Sequence, residues 1–132
     1  MNDVNVGPDG GIYITDSGKN RLYKLQDGKI VIWHDSPNGV ALNGTAVEGN
    51  MLILGSIHVI GIDPAKKNTE VKILAPDVNF GIDGIAAVGN GWYIVSSWRG
   101  EIKMVHSSGT QHVLLKYPDK EINTADFNQS KI

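Results

Sequence analysis

The feature that most constrains this chain is an internal repeat of about forty residues. Three segments superimpose: Asn2-Asp3-Val4, Asn43-Gly44-Thr45 and Asp83-Gly84-Ile85, at intervals of 41 and 40 residues. A further copy opens 42 residues later at Ala125-Asp126-Phe127. Each opening leads to a glycine turn, PDGG at 8–11, EGN at 48–50 and GNG at 89–91. Each turn feeds an apolar run that closes on serine: IYITDS (12–17), MLILGS (51–56) and WYIVSS (92–97). A third run follows in every copy, RLYKL (21–25), HVIGI (58–62) and EIKMV (101–105), and a fourth closes it, KIVIW (29–33), EVKIL (70–74) and HVLLK (112–116). These runs are rich in β-branched and aromatic residues and lack helical spacing.

Four strand-length runs in a unit of about forty residues form the pattern of a β-propeller blade. A β-sandwich also spaces its strands evenly, but it has no reason to bring openings, turns, serines and closing runs into phase three times. The expected fold is therefore all-β, a single partial β-propeller domain over 1–132 with about three four-stranded blades. The blades fall at approximately 2–42, 43–82 and 83–124, with the start of another at 125–132.

Composition narrows the partners. Twelve Lys and Arg stand against 14 Asp and Glu, a net charge of −2. No basic stripe exists to neutralise a phosphate backbone, so no nucleic-acid partner is expected. Cysteine is absent, which removes disulfides, thiolate metal sites and cysteine nucleophiles. No apolar stretch approaches the ~20 residues of a spanning helix, so no membrane partner is expected either. MNDVNVGPDG at the start has neither a basic nor an apolar region and does not read as a signal peptide; the compartment stays open. Three blades would leave two blade faces uncovered. The expectation is a piece of a longer propeller, with self-association of two copies into a six-bladed ring as the alternative.

Inner strands of successive blades line one channel, so equivalent positions converge on an axis despite their distance in sequence. The residues opening the three copies are Asn2, Asn43 and Asp83, all carrying side-chain oxygen. Converging oxygen donors suit a hard cation such as calcium. Asn-Gly and Asp-Gly are also favoured turn dipeptides, and both roles stand open at this level.

These residues resemble the senescence marker protein (regucalcin) and gluconolactonase group of six-bladed propellers. The resemblance rests on Asn2-Asp3, Asn43-Gly44 and Asp83-Gly84 in order and blade phase, and spans the chain as the C-terminal half of such a propeller. NGTAVEGNMLILGS (43–56) is similar to bacterial members reading NGLLVEGDKLLVGS, and SSWRGEI (96–102) to SDWPGRI. The resemblance implies one axial divalent metal held by Glu, Asn, Asn and Asp, here Asn2, Asn43 and Asp83, the Glu belonging to a blade this chain lacks. Calcium is the first expectation for the cofactor, with zinc or manganese as alternatives. Asn38 in PNG (37–39) competes with Asn43 for the middle ligand.

The implied activity is metal-dependent hydrolysis of a lactone or ester, expected only when the full ring is present. A cation polarises the carbonyl and acidifies water, and Asp83 or Asp3 takes the proton as general base. A sugar-lactone-like small molecule is the implied substrate. Family lactonases place an acidic substrate contact after the second strand, where this chain has SGKNR (17–21) with no acid. GPDGGIYITDSGKNRLYKL (7–25) also resembles NHL-type blades, which leaves a non-catalytic propeller binding a protein or small ligand as the alternative, along with an inactive fragment. Other motifs are missing: the four histidines form no HExxH or zinc spacing, and no GxSxG elbow occurs. Trp98 and Arg99 follow a second strand, near a channel mouth, where a role in shaping a substrate site stands open; packing between blades is the first expectation for the tryptophan.

Overall fold

A computed structural model describes residues 1–36, 41–66, 72–76, 78, 81–117, 124 and 127. They form three four-stranded antiparallel sheets, each with its strands in sequence order. The first contains β1 (Val4–Val6), β2 (Ile12–Asp16), β3 (Arg21–Gln26) and β4 (Lys29–Asp35). The second contains β5 (Thr45–Glu48), β6 (Met51–Gly55), β7 (Val59–Ile62) and β8 (Lys72–Ala75). The third contains β9 (Ile85–Gly89), β10 (Trp92–Ser97), β11 (Glu101–His106) and β12 (Gln111–Lys116). Strands fall where the apolar runs place them, and in the first and third sheets short turns join them. The Asp27-Gly28 turn between β3 and β4 has φ of 50° and 72°, the twist that a two-residue hairpin requires.

The backbone defines which positions are equivalent. The N–H groups of Asn2, Asn43 and Asp83 donate to the carbonyls of Thr15, Gly55 and Ser96 at 2.7, 2.9 and 2.8 Å. The three openings are thus in phase, but the closing serines are not. Counting back from the shared hydrogen bond pairs Tyr13 with Ile53 and Ile94, whereas alignment on serine would pair it with Leu52 and Tyr93. The first copy carries one extra residue, Asp16, before its serine.

This register explains the core. Adjacent residues on a strand point to opposite faces, and the middle sheet is covered on both. Leu52 and Leu54 pack with Tyr13, Leu22, Leu42 and Ile60 between the first and second sheets. Ile53 packs with Tyr93, Val95, Val105 and Ile85 between the second and third. Hence β6 is apolar throughout, MLILG, with its last four residues buried. By contrast β2 keeps Ile12 exposed, because no other sheet among the described residues covers the far side of the first sheet.

Candidate functional site

The residues that open the sheets meet at one end of the inner strands. Asn43 donates from Nδ2 to Asp83 Oδ1 at 2.8 Å, across forty positions of sequence. Asn2 is one step removed: its Nδ2 donates to Ser17 Oγ at 2.9 Å, and that hydroxyl donates to the Leu42 carbonyl at 2.7 Å. The structure therefore brings Asn43 and Asp83 into contact and ties Asn2 to the residue preceding Asn43. Asp83 is buried, Asn43 half-buried and Asn2 exposed. Asn43 Oδ1 and Asp83 Oδ2 accept no hydrogen bond among the described residues. No group of three His, Cys, Asp or Glu suited to a metal occurs among the described residues. A cation here would draw on amide as well as carboxylate oxygen, which is hard-cation chemistry. Asn38, the competing ligand, lies outside the described residues, as does most of the segment at 125–132.

Asp3 has a different set of partners. Its Oδ2 accepts both the Thr45 N–H and the Thr45 hydroxyl at 2.7 Å, and its Oδ1 accepts the Val4 N–H at 2.7 Å. Both oxygens are occupied, so Asp3 joins the first sheet to the second. Asn5 repeats the join, donating to the Thr45 carbonyl at 3.2 Å. At the corresponding place in the second sheet stands Gly44. A Cβ there would lie 2.2 Å from the Asp83 carbonyl oxygen. The missing side chain lets β5 approach the chain entering β9 and keeps Asn43 within reach of Asp83.

Along the inner strands runs a cleft of about 490 Å³, lined by Asp3, Asn5, Thr45, Ala87 and Phe127 among others. That volume suits a small molecule. Trp98, placed at the turn after β10, is 66% exposed, so it does not pack between sheets as expected from sequence. Ile57 occupies the same turn of the second sheet and is also exposed. Both lie on the turns that follow the Gly55 and Ser96 carbonyls, at the Asn43–Asp83 end.

A second polar join was not visible in the sequence. Tyr93 Oη donates to Glu48 at 3.0 Å, linking the third sheet to the second. Burial, and then the hydrogen bond to the Glu48 carboxylate, push the phenol from 10.0 up to about 12. The folded chain holds that proton more tightly than the unfolded chain. The resulting stabilisation is complete below pH 10 and is lost as pH rises towards about 12. Tyr93→Phe is expected to cost about 1 kcal/mol at neutral pH and to lose less stability than wild type above pH 10. Urea midpoints for both proteins across that range check it; parallel curves would refute the assignment.

No family model matches the chain, and no curated protein sequence does. Solved structures do. Virginiamycin B lyase from Staphylococcus aureus aligns with a TM-score of 0.68 at 19% identity, over 93% of this chain and 43% of its own. A gluconolactonase from Xanthomonas campestris aligns with a TM-score of 0.68 at 19% identity, over 95% of this chain and 48% of its own. The calcium-binding protein regucalcin from Agrobacterium tumefaciens aligns with a TM-score of 0.66 at 15% identity, over 95% and 47%. At such identities the likeness concerns the fold. The chain has the β-propeller fold and spans less than half the length of each of these solved structures.

Proposed function

We propose that the Asn43–Asp83 end of the inner strands is a divalent-cation site, and that the chain is part of a metal-dependent propeller hydrolase acting on a lactone or ester. The observation that carries this reading is the 2.8 Å contact between Asn43 and Asp83. Two sheet openings forty residues apart bring a side-chain amide against a carboxylate, with Asn2 tied one hydroxyl away. Calcium fits the all-oxygen donor set best; zinc and manganese are the alternatives. When bound, the cation would polarise a carbonyl and lower the pKa of water.

The chain's own residues supply the rest. Asp83 supplies the carboxylate of the site and is the general base, since its Oδ2 accepts no hydrogen bond among the described residues. Asp3, the other candidate base, holds Thr45 on the cleft wall. Trp98 and Ile57 offer apolar surface to the ring of a small substrate. That a gluconolactonase and a calcium-binding regucalcin share the fold supports the reading.

Calorimetric titration of calcium, zinc and manganese into wild type, Asp83→Asn and Asp83→Ala tests it. Wild type is expected to give a saturable isotherm, and Asp83→Asn a loss of about tenfold or more, ~1.4 kcal/mol. If no ion binds wild type, or if both variants bind as wild type does, the site is not a metal site. The alternatives, a non-catalytic propeller that binds a protein or small ligand and an inactive fragment, then take its place.

A further inference from the structure

The residues that open the three sheets share a pattern in how their side-chain atoms are used. Asn2 and Asn43 each donate from Nδ2, to Ser17 Oγ at 2.9 Å and to Asp83 Oδ1 at 2.8 Å. The Oδ1 atoms of both amides and the Oδ2 atom of Asp83 accept no hydrogen bond among the described residues. At each opening one terminal atom is tied and an oxygen is left over. The two ends of an amide are told apart by their partners, and here the partners leave no choice. A carboxylate only accepts, so the end of Asn43 that meets Asp83 is the NH2 group.

Ser17 settles Asn2 in the same way. Its hydroxyl has one proton, which goes to the Leu42 carbonyl at 2.7 Å, an oxygen that can only accept. Ser17 Oγ therefore faces Asn2 as an acceptor, and the relay runs one way, from Asn2 to Ser17 to Leu42. A flipped Asn2 would set two oxygens together with no proton between them. Ser17 holds this place because the first copy has one residue more. Asp16 stands one past Thr15, where Ser56 and Ser97 stand one past Gly55 and Ser96. Those two serines bond within their own turns: Ser56 Oγ donates to the His58 carbonyl at 3.0 Å, and Ser97 Oγ accepts the Arg99 N–H at 3.3 Å. Ser17, one step further on, reaches from the first sheet to the segment entering the second.

We propose that Ser17 is a positioning residue of the cation site: it holds the Asn2 amide by its nitrogen and so presents Asn2 Oδ1, with Asn43 Oδ1 and Asp83 Oδ2, as an oxygen donor. Asn2 is exposed, so no packing holds its amide, and one hydrogen bond decides which end is offered. Residues that orient a ligand in this way govern metal affinity without touching the ion. The inference rests on the metal reading above and adds to it the group that orients Asn2.

Two measurements on the full chain test it. The side-chain amide resonances of Asn2, recorded without metal, report the hydrogen bond. Proton exchange there should be slowed in wild type and Ser17→Thr, and as fast as in a free asparagine in Ser17→Ala. Calcium titration reports the consequence. Ser17→Ala should weaken binding by about tenfold or more, and Ser17→Thr, which keeps the hydroxyl, should bind as wild type does. Asn2→Ala should weaken it at least as much, and Ser17→Ala added to Asn2→Ala should cost nothing further, since the serine acts through the amide alone. Additive losses would mean that Ser17 supports the fold rather than the ligand, and would overturn the proposal. Fast exchange of the Asn2 amide in wild type would overturn it too. Slowed exchange in a wild type that binds no calcium would leave the relay standing and sink the metal reading, taking the ligand role of Asn2 with it. If circular dichroism shows Ser17→Ala unfolded, Ser17→Cys, with a weakly bonding thiol in place of the hydroxyl, carries the same expectation.

Discussion

Gly44→Ala is expected to separate the second and third sheets at their inner edge. The added Cβ would stand 2.2 Å from the Asp83 carbonyl oxygen, 3.1 Å from its carbon and 3.2 Å from the Gly84 carbonyl carbon. All three atoms are backbone, so no rotamer change relieves the overlap. One of the two backbone segments must move by about an ångström to restore an allowed contact from 2.2 Å. Small-to-large substitution in packed regions costs typically ~1–3 kcal/mol, and a rigid obstacle belongs at the upper end. The second consequence concerns the site. Asn43 precedes Gly44, and its 2.8 Å bond to Asp83 depends on the same approach. Loss of cation binding should accompany the loss of stability, whereas Gly49→Ala, with open space around the position, should strain its turn yet leave binding intact. Thermal denaturation and calcium titration of the two variants separate these effects. Wild-type stability in Gly44→Ala would show that the strands do not pack this closely.

Much of the architecture was legible in the chain because the repeat carries its own internal controls. Three copies of the same run of turn and apolar residues identify strand, hairpin and inner-edge position together. Their phase was less secure, since Ser56 and Ser97 are buried one residue past Gly55 and Ser96, whereas Ser17 stands two past Thr15 and bonds to the Leu42 carbonyl. The residues that do fix it are Thr15 and Ser96, whose hydroxyls accept the Asp3 and Gly84 N–H groups at 3.0 Å. At the matching Gly55 a Cβ would meet Ile82 at 2.5 Å. A pattern of Thr, Gly and Ser is not recognisable as one position until the hydrogen bonds are seen.

The site divides along the same line. Asn43 and Asp83 could be paired by periodicity alone, because one repeat brings equivalent positions to neighbouring sheets. The link from Asp3 to Thr45, and that from Tyr93 to Glu48, join non-equivalent positions 42 and 45 residues apart. No period encodes them. The exposure of Trp98 was hidden for a simpler reason: large aromatic residues usually contribute buried area, and only its turn position separates it from a core tryptophan.

Leu54→Ala is expected to weaken one junction of the molecule and spare the other. Leu54 is fully buried among Tyr13, Leu22, Leu42 and Ile60, between the first and second sheets. Truncating a buried leucine typically costs about 2–5 kcal/mol, a large part of a domain's ~5–15 kcal/mol. Leu54 also pairs in register with Thr45, the residue that Asp3 holds, so the cavity loosens the polar join as well. In a stacked repeat each unit contacts only its neighbours, and the loss falls on the junction that was cut. Amide exchange in β2 and β3 should accelerate by about 30-fold or more, the equivalent of ~2 kcal/mol, while β10 and β11 change far less. Ile53→Ala on the opposite face, packed against Tyr93 and Val95, should invert the pattern. Equal acceleration in all three sheets for both variants would mean that the sheets unfold as one cooperative body. The junctions would then not be separable units, and the neighbour-only account of how this chain is held together would be wrong.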